Sequence, residues 1–340
     1  MSRFELPSRL PIVQAPMAGG PSTPRLAAAV ADAGGFGFVA AGYLTPNALR
    51  DAITATRELN DAPLGVNIFS PGQPAPREPL EAYAQELAGE AAQLGAELGV
   101  PRWEDDDIDA KIDVTLELAP ALVTFTFGYP GAAVLRRFAE RGISVGVTVT
   151  AKDEARQAAA DGAGVLVVQG TEAGGHQGTF RADPPNHTPL LDALRDIHEV
   201  GLPMIATGGI MTGADAAAAL NAGAIAIQLG TALLCAPEAA TNPVYRAALL
   251  EQRYDDTAVT RAFTGRWARG LSNRFAREHA DAPSGYPEIH HLTRPLRAAA
   301  IAAGDPDVPN LWAGTGWRAG RAEPAAEIVQ RIAAELASSR

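Results

Sequence analysis

Eight short apolar runs, at 12–17, 37–41, 64–69, 122–127, 143–149, 165–169, 204–207 and 224–229, recur along this chain with helix-forming stretches between them. Runs that stay apolar at every position, instead of alternating, belong to parallel strands covered on both faces. Parallel neighbours need a crossover long enough to hold a helix. Helix-start signals stand where those crossovers should begin, with Thr23-Pro24 ahead of 25–33 and Thr212 ahead of 213–221. Eight such units predict a closed (β/α)8 TIM barrel, with an open doubly wound sheet as the alternative. A barrel takes about 250 residues, so a chain of 340 has room for more. The surplus falls in two insertions, about 70–119 after the third run and about 237–323 after the eighth, followed by an amphipathic helix over 324–337. Insertions after strands rise from the C-terminal face of a barrel, where active sites sit. The expected organisation is a barrel of residues 1–236 and 323–340, with 237–322 and part of the first insertion as a smaller, mainly helical cap over the site.

Composition narrows the function. A net charge of −11 argues against a nucleic-acid partner, which would need a basic stripe. No uninterrupted apolar run reaches membrane-spanning length, and residues 1–9 carry no apolar leader, so a cytoplasmic protein is expected. Cys235 is the single cysteine, which rules out an internal disulfide framework and a Cys-rich zinc site. The two lysines, Lys111 and Lys152, lie in helical stretches away from strand ends, so Schiff-base chemistry lacks a nucleophile. Nothing in the sequence fixes an oligomeric state.

The chemistry-bearing residues cluster at strand ends. The seventh run exits through Thr207-Gly208-Gly209 and the eighth through Gln228-Leu229-Gly230-Thr231. Glycines there let backbone N–H groups approach a phosphate, and Thr231 adds a hydroxyl where a helix dipole favours an anion. Alone, Gly208-Gly209 reads equally as a tight turn; paired with the next strand end, it reads as a phosphate site. The loop after the sixth run, 169–179, holds four glycines in eleven residues, with His176 between them and no apolar neighbours to bury it. His176 is therefore the candidate catalytic group. His187, His198, His279 and the pair His290-His291 are assigned to helices and the cap, and no metal-ligand motif is present, so no metal is expected. The Pro16-Met17 step at the end of the first strand, followed by Gly19-Gly20, reads equally as an apolar platform for an aromatic ring or as a strand exit and turn, and Asn67 and Gln169 are amides able to read a heterocycle edge.

These segments together resemble the nitronate monooxygenases, formerly called 2-nitropropane dioxygenases. The resemblance rests on 14–20, 65–67, Glu172–Thr179 (EAGGHQGT), 206–210, 228–231 and 265–273 (GRWARGLSN), and it spans nearly the whole chain. It implies FMN in the mouth of the barrel, contacted by Ala15, Met17, Asn67, Gln169, Gly174, Gly209, Gln228, Leu229, Gly230 and Thr231, with a catalytic role for His176. It also implies oxidation of alkyl nitronates, such as propionate 3-nitronate, by O2 to a carbonyl compound and nitrite or nitrate. His176 would then hydrogen-bond the nitro oxygens, or, with an ordinary pKa near 6.5, take the α-proton of a neutral nitroalkane. Two features qualify the resemblance. Thr315 stands where the family's WAGQ element has an amide, which is expected to alter the substrate pocket. Barrel FMN enoyl reductases share a similar glycine–histidine loop, so an NADH-dependent reductase of an enoyl thioester or a quinone is the alternative.

Overall fold

The computed structural model describes residues 4–338. Its strands are β1 (Ile12–Gln14), β2 (Gly37–Ala40), β3 (Leu64–Phe69), β4 (Leu122–Thr126), β5 (Ser144–Val149), β6 (Val165–Gln169), β7 (Gly175–His176), β8 (Met204–Thr207), β9 (Ala226–Leu229), β10 (Thr257–Thr260) and β11 (Ala268–Leu271). Eight of them form one parallel sheet in the order β1-β9-β8-β6-β5-β4-β3-β2. The sheet closes on itself: Val13 bridges Phe36 in parallel, and the Gln14 side-chain carbonyl accepts the Phe38 N–H at 3.0 Å. These are the eight apolar runs, and the fold is the TIM barrel read from them. The first strand stops at Gln14, short of residue 17, because Pro16 lies just beyond it and has no N–H to give to a ladder.

The helices are α1 (Pro24–Asp32), α2 (Pro46–Leu59), α3 (Arg77–Gln93), α4 (Ile108–Leu118), α5 (Ala132–Glu140), α6 (Lys152–Ala160), α7 (Leu190–His198), α8 (Gly213–Asn221), α9 (Pro243–Leu250), α10 (Arg274–Glu278), α11 (Glu288–Ala302) and α12 (Ala325–Ser338). Thr23 caps α1 by accepting the Leu26 N–H, and Thr212 and Asp215 form a reciprocal capping box on α8. Inside the barrel, Val13, Phe36, Phe38, Leu122, Val165, Val167, Ile205 and Ala226 make one apolar cluster. The alternate strand residues point outward under the helices, as with Ile12, Leu166, Val168 and Ile227 beneath Leu194, Ala216, Ile328 and Ile332.

The first insertion divides. Its second helix, α4, packs Ile108, Ile112 and Leu116 with Val66, Ile68 and Phe125 and is the barrel's own cover for β3 and β4. Its first helix, α3, buries Leu80, Tyr83 and Leu87 against Phe263, Phe275, Ile289, Leu292 and Leu296, within the segment that follows β9. That segment also holds two strands the sequence did not suggest: β10 and β11 pair antiparallel, and β11 in turn pairs with β7, setting Ala268 opposite His176.

Candidate active site

A cavity of about 430 Å³ opens at the C-terminal ends of the barrel strands. Ala15, Met17, Asn67, Gln169, Gly174, His176, Gly208, Gly209, Gln228, Gly230 and Thr231 all line it. Leu229 does not: its side chain is fully buried in the outer apolar cluster, and its carbonyl accepts the Ala15 N–H at 2.8 Å. Strand periodicity explains this, because Gln228 faces inward and its neighbour must face out.

At the β8 and β9 end, the wall is backbone. Gly208 and Gly209 adopt φ of +127° and +71°, where side chains other than glycine are strained. A Cβ on Gly209 would stand 2.9 Å from the Glu172 Cβ and 3.2 Å from the Thr315 Oγ1. A Cβ on Gly174 would press to 2.6 Å on the backbone of Ala313 and Gly314. The segment 313–315 is pinned there by two bonds: the Gly314 N–H donates to Thr231 Oγ1 (3.0 Å), and the Thr315 N–H donates to the Glu172 carbonyl (3.0 Å). The Glu172 carboxylate itself accepts the Leu190 N–H at the start of α7, at 3.0 and 3.2 Å. Thr315 therefore sits beside Gly209 and is not itself among the residues lining the cavity.

The two amides have partners already. Asn67 Nδ2 donates to Thr124 Oγ1 and Thr126 Oγ1, both at 2.9 Å, which fixes the amide plane across β3 and β4. Gln169 donates from Nε2 to the His176 carbonyl (3.1 Å), and its Oε1 accepts the Gly178 N–H (2.7 Å). Gln169 thus staples the glycine-rich loop as well as lining the cavity.

His176 is not the solvent-facing loop residue that its glycine neighbours suggested. Its ring packs against Phe127, Tyr286 and Trp312 at centroid distances of 5.7, 5.5 and 5.4 Å. Its Nε2 lies 2.9 Å from Thr264 Oγ1 in a hydrogen bond. Burial first, then the positive charges of Arg266 and Arg297, push its pKa from the ordinary value down to about 3. Arg266 stands 3.9 Å from the centre of the Phe127 ring and donates to the carbonyls of Gln177 and Thr179. The imidazole is therefore neutral at any physiological pH, and the ordinary value near 6.5 does not apply to it.

The sequence reading passed over the wall facing the glycines. Tyr43 and Phe127 line the cavity with backbone φ of +66° and +72°, unfavourable for aromatic residues and typical of functional sites. The Tyr43 ring stacks on His290 (4.5 Å between centroids, 6° between planes), and its hydroxyl accepts a hydrogen bond from the Tyr286 hydroxyl at 3.0 Å. Along α11, His290, Arg294, Arg297, Ala298 and Ile301 all line the cavity. Their spacing of three and four is one helical face, the signal that could have found them. His291 belongs to another face and sits 3.0 Å from Glu104. Burial and then Arg297 hold the His290 pKa down at about 2, so it too is neutral.

A family model described as nitronate monooxygenase matches residues 4–335. The nitronate monooxygenase of Pseudomonas aeruginosa is 40% identical over 342 residues, covering 96% of each chain. That of Paraburkholderia phytofirmans is 39% identical, covering 97% of this chain and 93% of the relative. Among solved structures, nitroalkane oxidase from Streptomyces ansochromogenes is similar with a TM-score of 0.95 at 48% identity, covering 98% of this chain and 97% of that one. FabK from Thermotoga maritima is similar with a TM-score of 0.76 at 27% identity, covering 98% and 94%.

Proposed function

Because the chain belongs to the nitronate monooxygenase family, an oxidoreductase family, we propose that it is an FMN enzyme that oxidises small alkyl nitronates with O2 to a carbonyl compound and nitrite or nitrate. One observation carries this reading: a single cavity joins a glycine-walled end, an amide-bearing floor and a neutral histidine, with no carboxylate among its lining residues. The fit to FMN rests on the strand ends. The cavity size suits a cofactor-sized ligand, and Gly208 and Gly209 line it at positive φ, with no side chain of their own between backbone and cavity. They would take the phosphate with Gly230 and Thr231. Met17 and Ala15 would flank the ring system, and Asn67 and Gln228 would meet its polar edge. When bound, the flavin supplies the electron acceptor for the substrate and the reductant for O2.

The protein's own residues then have defined tasks. Thr264 fixes the plane of His176, and Phe127, Tyr286 and Trp312 pack around its ring. With a pKa of about 3, His176 is a weak base, because a general base works best with a pKa near the working pH. With the Thr264 hydroxyl donating to Nε2, the neutral ring carries its one proton on Nδ1 and from there would donate a hydrogen bond to a nitro oxygen as charge shifts during oxidation. A nitronate needs no proton removed; a neutral nitroalkane does. The site therefore favours the preformed anion. The test is turnover of ethyl nitronate by the purified protein, following O2 uptake together with acetaldehyde and with nitrite or nitrate. Absence of these products, with NADH-driven reduction of an enoyl thioester instead, would replace this reading with the reductase.

A further inference from the structure

The protein carries a net charge of −11, yet the only ionised side chains lining its cavity are two arginines, Arg294 and Arg297. Arg297 is 8% exposed. Its guanidinium donates to Thr293 Oγ1 (3.0 Å), Asn310 Oδ1 (2.6 Å) and the His290 carbonyl (3.1 Å). All three acceptors are uncharged. Among the described residues, neither Arg297 nor Arg294 forms an ion pair with an Asp or Glu. A buried charge without a counter-charge is costly, and its cost is relieved by an anionic ligand. The glycine end does not provide the place for that ligand. Strands β8 and β9 lie across the ring from β3 and β4. Helix α11 and the residues just before it, by contrast, meet the loops after β2 and β4 through the His290–Tyr43 stack and the Tyr286–Phe127 contact.

We propose that Arg297, with Arg294 one turn before it at the cavity mouth, is the counter-ion for the substrate's own negative charge and makes the site select an anionic nitronate over the neutral nitroalkane. The inference rests on the function proposed above. A nitronate spreads its charge over two oxygens, which suits a guanidinium held by neutral partners and free of any carboxylate. A nitroalkane offers no such charge, so Arg297 contributes little to holding it. Asn310, Thr293 and the His290 carbonyl fix the guanidinium in advance, so no reorganisation accompanies binding.

The test compares Arg297→Gln and Arg297→Lys with the wild-type holoenzyme, using sodium nitrite as an anionic probe in calorimetric titration. Alongside it, the ratio of kcat/KM for ethyl nitronate to that for nitroethane is measured. In Arg297→Gln, nitrite affinity and that ratio should both fall on the order of 30-fold, as expected when one member of a buried charge pair is removed. Arg297→Lys keeps the charge and loses the fork; its nitrite affinity should fall by about tenfold or less, clearly less than in Arg297→Gln. An unchanged ratio in Arg297→Gln would overturn the proposal. So would a Lys variant whose nitrite affinity falls to the level expected for Gln, since that would mark Arg297 as a brace for α11 alone; this comparison stands even should the Gln variant fail to fold. A wild-type enzyme inert toward ethyl nitronate sinks the proposed function, while nitrite titration still reads Arg297.

Discussion

Gly209 offers the sharpest separation of backbone strain from electrostatics. Substituting alanine there places a side chain at φ +71°, which costs about 1–2 kcal/mol. The new Cβ also meets the Glu172 Cβ at 2.9 Å and Thr315 Oγ1 at 3.2 Å. Glu172 cannot retreat freely, because its carboxylate holds the Leu190 N–H and its carbonyl holds the Thr315 N–H. Gly209→Ala should therefore lower the unfolding free energy by about 2–3 kcal/mol. Gly209→Asp shares the strain and the crowding and adds a charge. A carboxylate on the order of 5 Å from a phosphate held at this wall would, at an effective dielectric near 20, raise the binding free energy by about 3 kcal/mol per unit charge. That corresponds to more than roughly a hundredfold in affinity. The assay is FMN titration by fluorescence quenching on both variants, with urea unfolding as the control for strain. The Asp variant should purify colourless and bind FMN at least a hundredfold more weakly than the Ala variant. Equal FMN affinity in the two variants would refute the placement of the phosphate at this strand end.

His176→Asn should keep FMN and lose about 10²–10³ in turnover of ethyl nitronate, the usual cost of one charge-stabilising donor; wild-type rates in the variant would remove His176 from the chemistry. Acid release and chromatography of the bound flavin should give FMN, because no dinucleotide fingerprint follows a strand, and an adenine-containing flavin would contradict the single phosphate site. Stability should depend on pH through His176 and His290, whose pKa values burial pushes down to about 3 and about 2. Between an unfolded value near 6.5 and those folded values, the unfolded chain binds protons that the folded chain refuses, so this stability is full above pH 6.5 and is lost as pH falls. Between pH 7.5 and 5.5 the loss is about 1 kcal/mol per histidine, and His290→Asn should recover its share in urea midpoints measured at both pH values; parallel pH curves for variant and wild type would show that His290 is not held neutral.

The barrel was legible because its signal is local. Runs such as 165–168 and 204–206 are apolar at every position, and caps such as Thr212 sit directly ahead of their helices. The glycine end of the site was legible for the same reason, since Gly208, Gly209, Gly230 and Thr231 stand beside the strands that position them. What escaped depends on partners far along the chain. Helices α3 and α4 have similar Ala, Leu and Glu content, and only their packing partners, Phe263 and Leu296 for one and Val66 and Phe125 for the other, separate their roles. The pairing of Gly175–His176 with Ala268–Arg269 joins segments that neither run of residues predicts alone. That pairing, with Phe127, Tyr286 and Trp312, turns a glycine-flanked histidine into a half-buried, neutral one packed among aromatic rings. The Leu229 side chain faces the outer cluster while Gln228 lines the cavity, because adjacent strand residues face opposite ways and the strand end 228–231 does not act as one unit.

The central claim is that this site oxidises a nitronate on a flavin, and rapid anaerobic mixing of the yellow holoenzyme tests it most directly. Ethyl nitronate should bleach the long-wavelength flavin absorbance within the time of one turnover, and readmitted O2 should restore it. NADH at the same concentration should leave the colour unchanged over that interval. Bleaching by NADH with no response to the nitronate would contradict the account and make the protein a nicotinamide-dependent reductase.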